Sequence, residues 1–342
     1  MSDWEKDSGP IVTEQSWRRD FWGLLWESRS GFVPWEKILK LGRSTQEIVE
    51  EAFFLEKRGY TLELSPVLGI RLLAPLPDIF CSREWEYRLW ISGVPWVTGV
   101  AYPVVGSTNE ETHRWAEKGA GEGFFVLADA QRQGRGRWGR GWQSPLGLGL
   151  YGSILLRPGW EARQATRLAI VATLAAAEAV EETSGQRIDL GWPNDLFLEG
   201  RKVGGVLVET RTQGAALQEA VIGLGLNVRQ TEEDWDEDLK PVATSLASYV
   251  SSPPRRMDLW IAFLHRLYRN YHMDFSLCRA RWEARSPMLQ RLVRIESPRE
   301  MFVGMALGLS ELGELNVQTV EGRVYSLGPA AVTRVRVTES GI

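Results

Sequence analysis

Cysteine is nearly missing. The 342 residues carry two, Cys81 and Cys278, far apart and in no metal-ligand spacing. A disulfide framework and a zinc cluster are therefore excluded, and the two thiols are expected to be buried or idle. Excess positive charge is missing as well. Forty Lys and Arg stand against 44 Asp and Glu, a formal net charge of -4, so the chain as a whole is no polycation built to coat nucleic acid or membrane. Any basic site must be local. No run is long enough to span a bilayer, since the most apolar stretch, LAIVATLAAAEAV at 168–180, is short and contains Glu178. The opening MSDWEKDSGP is polar and acidic, unlike the basic and then apolar start of a signal peptide. The expectation is a cytoplasmic protein with no membrane partner. There is no internal repeat and no low-complexity tract.

What is present is ordinary for a globular protein: 44% apolar and 25% charged residues, in a chain long enough for two or three domains. Sixteen tryptophans are many, and eight of them fall within the first 96 residues, where large aromatics serve as core or interface fillers.

Local patterns divide the chain. FWGLLWES, PWEKILKL and TQEIVEEAFFLEKRG read as three amphipathic helices, with Pro34 opening the second and Ser44 or Thr45 capping the third. YTLELSPVLGIRLLAP then reads as a hairpin, so residues 1–74 are expected to form a winged helix-turn-helix module. Residues 75–98, with Pro75, Pro77 and Pro95, read as a linker with a short helix. A larger α/β segment over 99–280 follows. In it FFVLADAQ and LGLYGSILLRP are strands, and the helix EARQATRLAIVATLAAAEAVEETSG is closed by Gly185. The strands after it turn at Glu199 and Gly200, and LWIAFLHRLYRNYHMDF returns to helical spacing. Residues 281–342 are short β runs broken by Gly and Pro and are expected to close a small barrel. The fold class is α+β.

Three segments could carry chemistry. QRQGRGRWGRGW, residues 131–142, holds four arginines, four glycines and two tryptophans with no carboxylate. Repetitive, disordered Arg-Gly tracts bind nucleic acid, but this one is single and lies between two strands. Glycines let backbone N–H groups approach a ligand and arginines offer forked donors to carboxylate or phosphate, so it reads as an anion-binding loop, with a solvated surface loop as the alternative. It matches neither the Walker A pattern nor GxGxxG. Ser107, Thr108 and Asn109 precede a helix, where they serve either as an N-cap or as holders of a polar ligand head. In GWPNDLFLEGRKVGGVLVE, Asn194 and Asp195 could orient a ligand or magnesium and Lys202 could reach a phosphate, while a plain PND turn is the simpler reading.

Taken together, STN, GRGRWGRGW, SPLGLGLYGS, WPND, RKVGGVLVE and IGLGLNV resemble, in order and spacing, the biotin protein ligases. The bifunctional ligase and repressor type with an N-terminal winged helix is the nearest match. RWEARSP and the strands after it look like that family's SH3-like C-terminal barrel. The resemblance implies a class II synthetase-like central domain with a mixed sheet. It also implies an activity: biotin and MgATP give biotinyl-5'-AMP, and biotin then passes to a lysine of a biotin carboxyl carrier protein. It implies that Ser107, Thr108, Asn109 and Gln131 hold the biotin head, and that Arg135, Gly136 and Arg137 close over biotin and the acyl phosphate as the catalytic loop. Arg140, Trp142, Asn194, Lys202 and Asn227 would bind ATP. ATP, Mg2+ and biotin would be the cofactor and substrates, with no protein-held metal.

Three departures bear on that reading. The family pattern has a lysine before WPND where this chain has Gly191, implying a missing positive charge worth about 10²–10³ in rate unless Arg187 or Lys202 replaces it. The third helix carries Glu47, Glu50, Glu51 and Glu56 against Lys57 and Arg58, so its DNA binding is doubtful. The last barrel strand, LGPAAVTRV, lacks the acidic residue expected after its glycine, leaving Arg334 to serve. Besides an active ligase, a catalytically impaired regulator that binds biotin or biotinyl-AMP, and a lipoate or octanoate ligase, remain open. A homodimer is possible.

Overall fold

The computed structural model describes residues 16–28, 31–298 and 300–338, so the acidic opening stretch lies outside the described residues. The chain divides into two compact units, one of residues 1–100 with 255–257 and one of the remainder.

The first unit contains α1 (Ser16–Glu27), α2 (Trp35–Leu39) and α3 (Thr45–Lys57), then the antiparallel hairpin β1 (Thr61–Ser65) and β2 (Gly69–Leu73), and α4 (Ser82–Ile91). In α1, Trp17, Phe21, Trp22 and Leu25 recur at helical spacing and are buried, and they join Ile48, Leu55 and Ile70 in one core. Ser44 and Glu47 form a reciprocal capping box at the start of α3. The stretch read as a linker is largely packed: α4 buries Trp85, Tyr87 and Leu89, and contacts α1. Its Glu84 is fully buried, meets Arg88 and both terminal nitrogens of Arg255, and accepts from the Tyr60 hydroxyl at 2.6 Å. Prolines marked this stretch as irregular, but the aromatic residues between them decide its packing. Glu51, counted among the acids of the third helix, does not face outward. It is buried and paired with Arg18 and Arg83.

The second unit is built on a mixed seven-stranded sheet with order β3-β4-β5-β9-β8-β7-β6. Its strands are β3 (Gly99–Val105), β4 (Phe125–Gln131), β5 (Gly149–Leu156), β6 (Asp189–Gly191), β7 (Asp195–Leu198), β8 (Arg201–Gln213) and β9 (Ala216–Asn227). From β4 to β6 each neighbouring pair is antiparallel. Between them lie α5 (Thr108–Glu117) and α6 (Ala165–Ser184). All eight residues of β5 are buried, as the continuous apolar run requires for a central strand. α6 ends at Gly185, whose φ of 72° is the left-handed cap that glycine adopts without cost. Its one buried acid, Glu178, bonds Asn270 and Arg281. Glu199 and Gly200 both have positive φ, as a tight β7–β8 turn demands. After α7 (Arg256–Tyr271) and α8 (Phe275–Glu283) comes an antiparallel sheet of β10 (Leu292–Glu296), β11 (Met301–Leu309), β12 (Leu315–Thr319), β13 (Val324–Leu327) and β14 (Arg334–Val337). It belongs to the same compact unit as the large sheet. Cys81 and Cys278 are both free and buried, and burial pushes both thiols upward in pKa. Among the described residues no helix is long and apolar enough to cross a membrane.

Candidate functional site

A cavity of about 290 Å³ opens in the second unit, and it gathers segments far apart in sequence. The start of α5 supplies Ser107, Thr108 and Asn109; the end of β4 and the following loop supply Gln131, Arg135, Gly136, Arg137, Arg140 and Trp142; the turn before β7 supplies Asn194; and β8 and β9 supply Lys202 and Asn227. All twelve positions singled out in the sequence therefore line one space.

The polar end is tightly bonded. Ser107 is the N-cap residue of α5, yet its side chain makes no capping bond. The Thr108 N–H donates to Gln131 Oε1 at 2.9 Å, and Gln131 Nε2 donates to Ser144 Oγ at 3.0 Å. Asn109 Nδ2 donates to Glu209 Oε2 at 2.8 Å. Glu209 is held below the usual carboxylate range chiefly by His113, against the upward push of burial, with Asn109 adding to the lowering.

The arginine loop is folded. Gly136 N–H donates to Arg140 O at 2.7 Å and Trp142 N–H to Gly134 O at 2.9 Å, closing a short turn around Trp138, which has φ 60°. Its side chains divide. Arg135 pairs with Glu110 at 2.8 Å. Arg137 donates to the carbonyls of Pro329 and Val332 at 2.6 and 2.5 Å, Trp138 Nε1 to Val332 O at 3.1 Å, and Arg140 to Thr333 O at 3.1 Å. Burial, partly offset by Asp195, lowers the Arg137 pKa. Lys202 pairs with Asp195 at 2.5 Å and stands 5.5 Å from the centre of the Trp142 ring. Trp142 lies against β9 at Gly225, where a Cβ would come within 2.7 Å of the indole. Five cations, Arg135, Arg137, Arg140, Lys202 and Arg334, thus line the cavity beside one carboxylate, Asp195, an arrangement that attracts and screens anionic groups.

Asn194 and Asn227 also line the cavity, but their amides donate to Val206 O at 2.6 Å and Thr244 O at 2.9 Å. Of the two replacements considered for the missing lysine, Lys202 lines the cavity. Arg187 does not, and its guanidinium donates to Ala284 O. Gly191 is outside the lining too, because the Phe197 ring covers it: a Cβ there would meet Phe197 Cε2 at 2.4 Å. Sequence reading missed Trp235, Leu239 and Ala243 in the segment before α7, Thr333 just before β14, and Val335 within it. No residue type in TEEDWDEDLKPVA signals a ligand; its place in the wall follows from the parallel bridge of Ala243 with Lys202.

A family model described as the biotin/lipoate A/B protein ligase family matches residues 101–227. The Bifunctional ligase/repressor BirA of Bacillus subtilis is 31% identical over 320 residues, covering 90% of this chain and 97% of that protein. The Biotin--[acetyl-CoA-carboxylase] ligase of Paracoccus denitrificans is 31% identical over 226 residues, covering 64% of this chain and 92% of that protein. Among solved structures, a biotin protein ligase from Aquifex aeolicus in complex with biotin and ATP superposes with a TM-score of 0.61 at 29% identity, covering 70% of this chain and 99% of that one.

Proposed function

The chain belongs to the biotin/lipoate A/B protein ligase family, and on that footing we propose that it is an ATP-dependent biotin protein ligase, which makes biotinyl-5'-AMP and transfers biotin to a lysine of a biotin carboxyl carrier domain. The observation that carries the reading is the convergence of Ser107, Thr108, Asn109 and Gln131 with Arg135, Arg137, Arg140 and Lys202 on one cavity. One end is neutral and rich in donors and acceptors, suited to the ureido head of biotin. The other is cationic.

The first step joins two anions. A biotin carboxylate oxygen bonds to the α-phosphorus while the bond from that phosphorus to the pyrophosphate oxygen breaks. Arg135, Arg137 and Gly136 close over the carboxylate and acyl phosphate, Lys202 and Arg140 face the ATP phosphates, Trp142 lies against the adenine, and Asn194 and Asn227 shape the nucleotide wall. Fixed positive charge at the oxygens where charge develops is worth about 10²–10³ in rate for each well-placed group. Mg2+ fits as an ion carried on the triphosphate, with Asp195 the carboxylate at the cavity able to share it; no cluster of three metal-ligating side chains exists among the described residues. In the second step the neutral amine of the acceptor lysine attacks the acyl carbon and AMP leaves. A closed loop keeps water from the mixed anhydride in between.

Lys202 in the cavity removes the ground for an impaired regulator. The first unit is proposed to be a winged helix-turn-helix and β10 to β14 an SH3-like barrel. Its third helix still exposes Glu50, so its DNA affinity is expected to be weak, and a homodimer through the large sheet is compatible with the fold. Purified protein with biotin, MgATP and a carrier domain should yield a streptavidin-detectable product, and titration should favour biotin over lipoate. Biotin binding without any product would overturn the ligase reading.

A further inference from the structure

Behind Thr108 and Asn109 runs a chain of hydrogen bonds whose direction is fixed from outside the cavity. The Ser153 hydroxyl on β5 lies 2.7 Å from both Asn109 Oδ1 and Thr108 Oγ1, and it has one proton to give. An amide oxygen only accepts, so Ser153 donates to Asn109, and the shorter Thr108–Ser153 contact at 2.7 Å takes the Thr108 proton in preference to Gln131 Oε1, an acceptor 3.2 Å from Thr108 Oγ1. The orientation of the Asn109 amide is set in turn by Glu209. An ionised carboxylate only accepts, so the NH2 end must face it, at 2.8 Å. The seat is close on a third side, since a Cβ at Gly223 would fall 2.1 Å from Asn109 Oδ1. His113 stands 3.6 Å from Glu209 and from Glu219, behind the carboxylate. The order is therefore Thr108 to Ser153 to Asn109 to Glu209.

We propose that Glu209 and Ser153, neither of which lines the cavity, are positioning residues that fix which hydrogen-bonding sense Thr108 and Asn109 present to the ligand head. With the chain running this way, Thr108 Oγ1 has spent its proton inward and offers lone pairs to a ligand N–H, while Asn109 keeps its second amide N–H for an acceptor. A ureido head, with two N–H donors beside one carbonyl, matches that pattern. If the amide flips, Ser153 donates to Thr108 instead, the Thr108 proton turns to Gln131 Oε1 at 3.2 Å, and the Asn109 contact with the ligand turns from complementary to repulsive. The assignment rests on the ligase reading above.

The test uses the full-length protein in steady-state biotinylation, with biotin and MgATP varied separately, and calorimetric titration with biotin alone. Glu209→Gln keeps shape but lets either end of residue 209 face Asn109. It should raise KM for biotin about tenfold while kcat and KM for MgATP stay within twofold. Ser153→Ala should do the same by a different cut, and the double variant should be no worse than the single ones, because both break one chain. The assignment fails if either variant binds biotin within twofold of wild type, if KM for MgATP rises as much as that for biotin, or if the two penalties multiply. Wild-type protein that binds no biotin would instead remove the ligase reading itself.

Discussion

Replacing Gly191 by the lysine of the family pattern should bring no gain. The Cβ of any side chain at 191 would lie 2.4 Å from Phe197 Cε2, 3.3 Å from Cδ2 and 3.5 Å from Asp195 Cβ. The first contact is about 1 Å closer than an ordinary carbon contact, so the ring must swing off β6. Overpacking of this kind costs about 1–3 kcal/mol. For a unit of this size that lowers the unfolding midpoint by about 2–12 °C. The rate should change little, because position 191 is outside the cavity lining and Lys202 already places an ammonium group in it. Thermal unfolding and biotinylation measured on the same preparation separate the two effects. Gly191→Lys combined with Phe197→Ala should regain most of the lost midpoint. A Gly191→Lys protein that melts with wild type and works a hundredfold faster would refute this account and show that the native site is short of one cation.

Arg137→Ala removes a cation from the cavity and its bonds to the Pro329 and Val332 carbonyls, and should lower kcat/KM about 10²–10³-fold, against less than twofold for the exposed Arg132→Ala. Gly225→Ala pushes the Trp142 indole off β9, so KM for MgATP should rise about tenfold with KM for biotin nearly unchanged, as separate substrate titrations will tell. His265 is half-buried on α7, and burial lowers its pKa below the ordinary 6.5. The unfolded chain therefore takes up the proton first, and stability present above pH 6.5 is lost as pH falls below it. Urea midpoints should drop between pH 7.5 and 5.5, and His265→Gln should flatten that slope.

Much of the site was legible because its residues sit in short runs whose side chains have one use. An Arg-Gly loop between strands, a Ser-Thr-Asn cap and a lysine before paired glycines each keep their chemistry wherever the fold takes them. What sequence could not supply were the contacts set by long-range closure. The Pro329 and Val332 carbonyls that hold Arg137 and Trp138 are backbone atoms, which every residue has. Glu51 read as an outward acid because helical spacing does not reveal that Arg18 and Arg83 converge on it from other helices. Gly191 read as a deficit because nothing local says that Phe197, six positions on, folds across it. Residues 75–98 read as linker from their prolines, while the burial of Tyr87 depends on partners in α1.

The carbonyls that hold Arg137 belong to residues nearly two hundred positions further along, a separation of 192 for Pro329. During synthesis the loop is made long before its partners, so a nascent chain that already carries Ser107, Thr108, Asn109 and Gln131 still lacks the carbonyls that hold this loop. At the 5–20 residues per second at which chains are made, the delay is roughly ten to forty seconds. A chain cut before Pro329 lacks the carbonyls that hold Arg137, and is expected to lose the loop's ordered form.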